Sequence, residues 1–300
     1  MRLANISNRL SLITPAGEVV DVSQETGGRF SPRIQDCYDR WDELLEAVSA
    51  LQAVSGRPLA DVPAGDFGNP APHPRQVFAI GLNYAEHAAE ASLAVPEDLT
   101  VFTKFPTSLA GPYGTVSLPP GTVDWEVELV AVIGRGGRDI AADQAWSRVA
   151  GVSVGQDLSE RTMQAAGPAP QYSLAKSFPG FGPVGPLLAT PDEFEDPDNI
   201  ELGCAINGEQ VQKGSTKDMV FPVPEIIARL SRITPLLPGD VIFTGTPPGV
   251  GVGRSPQRYL APGDELVTYM SRVGEMRHRM QARGQARSLA VPPTRRRSNR

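Results

Sequence analysis

Two glutamates lie two residues apart at the start of an apolar run. Glu126 and Glu128 belong to the segment Asp-Trp-Glu-Val-Glu-Leu-Val-Ala-Val-Ile-Gly, residues 124–134. Because successive side chains of a strand point to opposite faces, residues i and i+2 share a face, and these carboxylates should project side by side. Neighbouring carboxylates repel each other, and a divalent cation that prefers oxygen ligands relieves the repulsion. The pair indicates either a metal site or a solvated strand edge.

A histidine and a glutamate have the spacing of one helix face. His87 and Glu90 follow a glycine turn in Gly-Leu-Asn-Tyr-Ala-Glu-His-Ala-Ala-Glu, residues 81–90, which is rich in helix-forming residues. Residues three apart on a helix are neighbours, so Glu90 could hold one imidazole nitrogen while the other takes a proton from water. The spacing is compatible with a general base and also with a structural histidine.

Two further segments carry side chains that could bind an acidic substrate. Asp157 would supply a third carboxylate, and Arg161 and Gln164 follow it one turn along a predicted helix. Arginine is the side chain best suited to clamp a carboxylate, although a helix-capping aspartate with a surface arginine is the plainer interpretation. Lys176 lies among apolar and turn residues, where its charge could meet a developing oxyanion.

A glycine-rich loop follows a predicted strand over residues 240–244. The sequence Gly-Thr-Pro-Pro-Gly-Val-Gly-Val-Gly, residues 245–253, lacks the Gly-Lys-Ser/Thr of a phosphate-binding loop, and its two prolines oppose the helix that a dinucleotide fingerprint should open. The loop can instead bring backbone N–H groups, such as that of Gly245, and the Thr246 hydroxyl against a small anionic ligand.

One short pattern suggests a serine hydrolase. Residues 151–155 read Gly-Val-Ser-Val-Gly, and His278 lies downstream. A nucleophile elbow needs a strand, a sharp turn and then a helix. Residues 144–150 look helical, but they precede Ser153, whereas the helix of an elbow follows the serine. The sequence therefore disfavours this interpretation.

The elements around these motifs are mostly short strands. Before residue 70, two apolar runs at 10–13 and 19–22 predict a hairpin, and a helical stripe predicts a helix that packs on it, through Trp41, Leu44, Leu45, Val48 and Leu51. Prolines and glycines over 56–75 indicate a domain boundary near residue 70. Beyond it, strands are predicted at 77–80, 129–133, 200–206, 240–244 and 266–270, with a hairpin turn at Asn207-Gly208. Regular βαβ alternation is missing, which favours a mixed sheet folded over on itself.

Composition limits the class of protein. The 300 residues are 40% hydrophobic, which is ample for a globular enzyme. The chain has no apolar run of eighteen residues and no secretory segment after Met1, so we expect a cytoplasmic protein without a membrane partner. Cys37 and Cys204 match neither a disulfide framework nor a zinc site, and both are expected to be buried thiols.

Charge is distributed unevenly along the chain. Residues 271–300 hold nine arginines and one glutamate, a charge of +8, which leaves −14 on residues 1–270 because the total is −6. The end of the chain, residues 281–300, is predicted to be a disordered basic tail that contacts nucleic acid or an acidic surface, or is a solvated extension without function. The acidic body argues against nucleic acid as the main partner.

Taken in order, these motifs resemble the fumarylacetoacetate hydrolase family over residues 76–268. The resemblance implies an α+β, β-rich fold, with a mixed β-sandwich roll over residues 71–280 as the catalytic domain and a small N-terminal α+β domain over residues 1–70. It also implies a homodimer, and a bound Mg²⁺, or Mn²⁺ or Ca²⁺, whose ligands would be Glu126, Glu128 and Asp157.

The resemblance further implies hydrolysis of a C–C bond in an acylpyruvate-like 2,4-dioxo acid. His87, oriented by Glu90, would deprotonate water, and Lys176 would help to stabilise the enolate. The substrate would be bound by Arg161, Gln164, Gly245 and Thr246. An isomerase or decarboxylase of a 2-hydroxy-diene dioate is the nearest alternative, and a non-catalytic oxo-acid-binding protein is a second. Pro179 and the segment 167–172 depart from the family pattern, which leaves the substrate open.

Overall fold

The computed structural model describes residues 1–91 and 93–283, and more of these residues lie in strands than in helices. In this part of the chain the strands, in chain order, are Arg2–Ile6 (β1), Arg9–Ile13 (β2), Glu18–Asp21 (β3), Arg57–Pro58 (β4), Phe67–Gly68 (β5), Val77–Gly81 (β6), Thr100–Thr103 (β7), Leu109–Ala110 (β8), Tyr113–Leu118 (β9), Val123–Asp124 (β10), Val127–Ile133 (β11), Val149–Gln156 (β12), Ser159–Glu160 (β13), Gly182–Ala189 (β14), Glu201–Ile206 (β15), Glu209–Ser215 (β16), Val241–Phe243 (β17), Glu265–Met270 (β18) and Gly274–Ala282 (β19).

Helices are short and lie between the strands. In the same described ranges the α-helices are Val22–Glu25 (α1), Ile34–Cys37 (α2), Trp41–Ala50 (α3), Ala85–Glu90 (α4), Arg161–Gln164 (α5), Tyr172–Ala175 (α6) and Val223–Ile233 (α7). Single 3₁₀ turns occupy Tyr38–Arg40, Leu59–Asp61, Ala64–Asp66, Pro106–Ser108, Ala142–Gln144, Trp146–Arg148, Pro191–Glu193 and Thr216–Asp218.

A large mixed sheet forms the centre of the molecule. Its strand order is β4-β3-β2-β1-β14-β12-β11-β17-β6-β7, with β5 beside β1 and β8 beside β14. The β11–β12 and β12–β14 pairs are antiparallel, whereas β17 runs parallel to β6. The central strand β11 is buried along its whole length, as its continuous apolar and β-branched sequence requires.

A second sheet, ordered β16-β15-β18-β19-β9, packs against the first. Successive side chains of β11 point alternately into two hydrophobic cores, one on each face of the central sheet. Leu129 and Ala131 join the cluster that includes Leu202 and Leu266 of the second sheet. Val130, with the opposite orientation, joins the cluster on the other face, which contains the buried side chains of α3. The predicted α+β, β-rich architecture of mixed, stacked sheets is therefore present.

The local predictions before residue 70 are mostly confirmed. Strands β2 and β3 form the predicted hairpin, and α3 contains the predicted helical stripe except Leu51, which follows the last helical residue. Strands β1 to β4 continue the central sheet through the β1–β14 pair, so sheet hydrogen bonding crosses the proposed boundary near residue 70. The division into domains stays a prediction.

Two other predictions have different outcomes. The Asn207-Gly208 turn joins β15 to β16 with φ angles of 52° and 84°, as predicted. The predicted helix over residues 144–150 is wrong: 3₁₀ turns end at Arg148, and β12 begins at Val149 because Val149, Val152 and Val154 pair and pack in the sheet.

The ends of the chain and its cysteines complete the description. Strand β19 extends to Ala282, and residues 284–300 of the predicted basic tail lie outside the described residues. Cys37 and Cys204 are buried free thiols, as predicted. Among the residues described, no helix has the length and apolar character needed to cross a bilayer. Cytoplasmic location stays a prediction.

Candidate active site

Three predicted carboxylates meet where β11 begins and β12 ends. The two strands are antiparallel, with Val127 opposite Gln156 and Glu128 opposite Gly155. The amide of Asp157 donates to the carbonyl of Glu126 at 2.9 Å, which carries this pairing one residue past the strand ends. Glu126, Glu128 and Asp157 are buried, and each offers a carboxylate oxygen within 4.8 Å of the others.

Buried cations surround two of these carboxylates. Lys176 Nζ donates to Glu126 Oε2 at 2.5 Å and to Asp157 Oδ2 at 2.6 Å, so its ammonium group bridges them. Lys104 Nζ donates to Asp157 Oδ1 at 2.7 Å, and Arg161 Nη2 donates to Glu126 Oε1 at 2.7 Å. The structure thus brings Arg161 and Lys176 to the acidic cluster.

The acids differ in their electrostatic surroundings. Burial raises the pKa of Glu126, but Lys176 and Arg161 outweigh it and lower that pKa to about 2. Burial, followed by repulsion from Asp157 and Glu126, raises the pKa of Glu128 well above its ordinary value. Glu128 accepts a hydrogen bond from the amide of Gly245 at 2.8 Å, but in the described part of the chain it has no ion pair. Of the three carboxylates, Glu128 is therefore the one without a direct ion pair among the described residues.

The buried charges of the cluster fit a divalent ion. Four buried acids, Asp124, Glu126, Glu128 and Asp157, face two buried lysines, Lys104 and Lys176, and the half-buried Arg161. A divalent cation would leave one positive charge in excess, which one substrate carboxylate could neutralise. Mg²⁺ and Mn²⁺ take oxygen ligands of this kind. Glu126, Glu128 and Asp157 therefore suit such an ion, and their role as its ligands stays a prediction.

The predicted histidine and glutamate lie together on α4. His87 Nδ1 is 3.4 Å from Glu90 Oε2, and the amide of Gly249 donates to both Glu90 carboxylate oxygens at 3.2 Å. Partial burial raises the pKa of Glu90, but the hydrogen bonds from His87 and Gly249 offset this, so the pKa is lowered overall. Glu90 is thus a carboxylate that holds one imidazole nitrogen, and His87 is buried beside the site cavity.

The glycine-rich loop is tied to the strands by side chains. Thr246 Oγ1 donates to the carbonyl of Val127 at 2.8 Å and accepts from Gln212 Nε2 at 2.9 Å. Gly245 has a φ of 99°, and its amide binds Glu128. Thr246 lines the cavity, but its hydroxyl is already engaged with the scaffold, and its role in substrate binding stays a prediction.

Sequence reasoning missed two residues of the site. Asp124 accepts hydrogen bonds from the amides of Gly251 and Val252 at 2.7 and 3.0 Å and from Arg161 Nε at 2.9 Å, so it links the loop to the arginine. Lys104 is fully buried against Asp157. The signal for Lys104 was a lysine in an apolar segment, Val-Phe-Thr-Lys-Phe-Pro, the same signal that identified Lys176.

A cavity of about 270 Å³ collects these groups. Its polar lining comes from His87, Glu126, Glu128, Asp157, Arg161, Gln164, Lys176 and Thr246. Gln164 Oε1 accepts from Arg161 Nη1 at 2.9 Å, which fixes the orientation of the guanidinium. The remaining side chains of the lining are apolar except for the Tyr172 hydroxyl, and Phe102 and Tyr172 are the largest of them.

The serine hydrolase pattern does not form a nucleophile elbow. Ser153 lies in the middle of β12 and is fully buried, and its hydroxyl has no hydrogen-bond partner among the described residues. His278 lies on β19 of the other sheet, with Nε2 3.0 Å from the carbonyl of Gly111. Both residues serve the packing of strands.

Comparisons with known proteins agree with this arrangement. A family profile described as Fumarylacetoacetate (FAA) hydrolase C-terminal matches residues 76–281. Oxaloacetate tautomerase FAHD2A, mitochondrial, from Homo sapiens is 42% identical over 240 residues, which cover 77% of this chain and 76% of the relative.

Two solved structures are similar along nearly the whole chain. The structure described as that of a "putative HpcE protein from Mycobacterium smegmatis" has a TM-score of 0.88 and 57% identity, and the match covers 94% of this chain and 99% of that one. Maleylpyruvate hydrolase from Sphingobium sp. SYK-6, in complex with manganese (II) ion and pyruvate, has a TM-score of 0.77 and 29% identity, with 94% and 100% covered.

Proposed function

The chain belongs to the fumarylacetoacetate hydrolase family, and from this premise we propose that it is a divalent-metal-dependent enzyme that hydrolyses a C–C bond in acylpyruvate-like 2,4-dioxo acids. Its relatives include hydrolases, isomerases and a tautomerase, so the chain is an enzyme rather than a binding module. The observation that carries the proposal is that His87, held by Glu90, lines the same cavity as the three-carboxylate cluster.

Substrate binding is assigned to the bases of the cavity. Arg161 and Lys176 lie beside the carboxylate cluster and can neutralise the substrate carboxylate and its 2-oxo oxygen. Gln164 orients the guanidinium of Arg161. A divalent ion bound by Glu126, Glu128 and Asp157 would polarise the 2-oxo group and stabilise negative charge that develops there.

Water activation is assigned to His87. With Nδ1 held by Glu90, His87 can take a proton from water at its other ring nitrogen. The resulting hydroxide adds to the 4-oxo carbon, and the bond between C3 and C4 breaks. Its electron pair passes to C3 as the enolate of the 2-oxo acid, whose charge Lys176 helps to neutralise. Protonation of C3 by the His87 imidazolium gives a carboxylic acid and a pyruvate-type acid.

The proposal is tested by pyruvate release from acetylpyruvate. We expect turnover with Mg²⁺ or Mn²⁺, loss of turnover in EDTA, and a fall of about a hundredfold or more in kcat for His87→Ala, the usual size of a general-base contribution. The control is His73→Ala, because His73 is an exposed histidine outside the cavity. Pyruvate release that survives EDTA or His87→Ala would contradict the proposal.

A second candidate is keto–enol tautomerisation of a 2-oxo acid, because the human relative carries the name oxaloacetate tautomerase. Proton transfer at C3 also needs a base near an acidic cluster, but it does not need water to attack a carbonyl carbon. Ultraviolet monitoring of oxaloacetate enol beside the acetylpyruvate assay separates the two. Tautomerisation without C–C cleavage of any dioxo acid would replace the hydrolase proposal with this one.

The assembly is proposed from the family resemblance alone. We propose a homodimer, with no nucleic-acid or membrane partner. Sedimentation of the purified full chain tests the dimer, and a species with the mass of one chain, 32.0 kDa, would contradict it.

A further inference from the structure

We propose that the natural substrate has a single carboxylate and an apolar acyl group, alkyl or aryl, at its distal end. This inference rests on the proposed function and specifies its substrate class. It also assigns Phe102 and Tyr172 as the residues that select the distal group.

The cavity has one charged side and one apolar side. The apolar side is lined by Ile80, Leu93, Phe102, Pro170, Tyr172 and Val252. The rings of Phe102 and Tyr172 have centroids 5.5 Å apart and planes 30° apart. Lys176 Nζ lies 5.1 Å from the Phe102 centroid, so Phe102 marks the border between the two sides. A substrate whose carboxylate lies near Lys176 would extend its distal end along these rings.

The apolar side offers no charge for a second carboxylate. Besides His87, the cationic residues among the described cavity lining are Arg161 and Lys176. Both lie on the charged side, Arg161 on Glu126 and Lys176 between Glu126 and Asp157, and the proposed function assigns both to the 2-oxo acid end of the substrate. A distal carboxylate placed against Ile80 and Phe102 would lose hydration and meet no cation there, and the polar side-chain group on that side of the described lining is the Tyr172 hydroxyl. An alkyl or aryl group would instead gain from leaving water.

The steady-state test compares dioxo acids that differ at the distal end. We expect benzoylpyruvate to exceed acetylpyruvate in kcat/KM by about tenfold or more, since added apolar contact in a pocket is worth roughly that much. Fumarylpyruvate, which carries a distal carboxylate, should fall below benzoylpyruvate by at least the same factor. A preference for fumarylpyruvate over benzoylpyruvate would overturn the inference and leave the proposed hydrolysis intact.

A binding measurement makes the test independent of cleavage. Calorimetric titration of the metal-loaded protein with phenylpyruvate and with 2-oxoglutarate compares an aryl with a carboxylate at the far end of a 2-oxo acid. We expect a Kd for phenylpyruvate lower by about tenfold or more. If no dioxo acid is cleaved but phenylpyruvate binds more tightly, the proposed function fails while the inference stands. Tighter binding of 2-oxoglutarate contradicts the inference whatever the reaction.

Variants at the two rings locate the selectivity. Phe102→Ala and Tyr172→Ala should each lower kcat/KM for benzoylpyruvate by about tenfold more than they lower kcat/KM for acetylpyruvate. Val101→Ala is the matched control, because Val101 is an exposed neighbour on β7 that does not line the cavity. Equal losses for both substrates would indicate a packing role for the rings and would overturn their assignment. Tyr172→Arg should raise kcat/KM for fumarylpyruvate relative to kcat/KM for benzoylpyruvate. An unchanged ratio of these two values would also count against the assignment.

Discussion

The carboxylate of Glu90 accepts a hydrogen bond from the amide of Gly249 at 3.2 Å. The same carboxylate holds His87, so one side chain connects helix α4 to the glycine-rich loop that follows β17. The contact is close, because a Cβ added at Gly253 would lie 2.2 Å from Glu90 Cγ. The position of the proposed base and the position of the loop are therefore coupled through Glu90.

Replacing Glu90 with glutamine should lower kcat and alter the pH dependence of stability. Because the pKa of Glu90 is lowered in the folded state, its charge stabilises the fold above the unfolded-state value of about 4.3. That contribution is lost as pH falls through the folded pKa. We therefore expect the free energy of unfolding of wild type to exceed that of Glu90→Gln near neutral pH, with the difference shrinking under acid conditions.

Urea unfolding of both proteins across the acid range measures this difference. Glu86→Gln is the control, since Glu86 is an exposed neighbour on α4. A difference between wild type and Glu90→Gln that stays constant below the unfolded-state pKa of glutamate would contradict the assignment.

Replacing Gly245 with alanine should destabilise the protein by more than the same change at Gly208. Both glycines have positive φ, 99° and 84°, a conformation that opposes a side chain. A Cβ at Gly245 would also lie 2.6 Å from the Cβ of Asn83, whereas Gly208 has open space. We expect about 1 kcal/mol at Gly208 and about 3 kcal/mol or more at Gly245, from strain plus overpacking.

Chemical denaturation of the two variants checks the prediction. Because the Gly245 amide donates to Glu128, Gly245→Ala should also weaken binding of Mn²⁺, and Gly208→Ala should not. Equal destabilisation at the two positions would show that the contact with Asn83 relaxes freely.

Sequence patterns predicted the parts of the site that depend on local spacing. His87 and Glu90 meet because residues three apart on a helix are neighbours. The carboxylates of Glu126 and Glu128 approach each other as strand alternation predicts, although β11 begins at Val127, one residue after Glu126. Each of these relationships joins residues two or three positions apart, so the local sequence contains the information needed.

Relationships between distant segments could not be predicted in the same way. Lys104 reaches Asp157 across 53 positions of sequence, and Asp124 binds the amide of Gly251 across 127. Such contacts are set by the order of strands in the sheet, which no local pattern encodes. The false helix over residues 144–150 has the same origin, because pairing of β12 with β11 and β14 decides its conformation.

Glu128→Gln should abolish metal dependence without destabilising the metal-free protein. Glu128 is buried beside two other carboxylates and has no ion pair among the described residues. The glutamine amide is neutral, so it removes the repulsion from Glu126 and Asp157 and the cost of burying a third negative charge. Its oxygen can still accept a hydrogen bond from the amide of Gly245. In EDTA the variant should therefore be at least as stable as wild type.

Thermal unfolding with EDTA and with excess Mn²⁺ tests this expectation. Mn²⁺ should raise the Tm of wild type, because a ligand that binds the folded state stabilises it. The Tm of Glu128→Gln should rise much less. A variant that loses stability in EDTA would show that Glu128 supports the fold rather than a cation.

Lys104→Met should destabilise the metal-free protein, and addition of a divalent ion should restore part of the lost stability. Lys104 is fully buried and donates to Asp157, to the carbonyl of Lys176 and to the carbonyl of Phe181. Methionine keeps much of the side-chain volume but removes the charge, and breaking a buried pair in this way costs about 3 kcal/mol or more. A divalent ion restores positive charge beside Asp157 but not the two carbonyl contacts, so the recovery of stability should be partial.

Denaturation in EDTA and in Mn²⁺ measures the destabilisation and its partial recovery, with Lys217→Met as the exposed control. Equal destabilisation with and without Mn²⁺ would show that Asp157 does not take part in binding the ion.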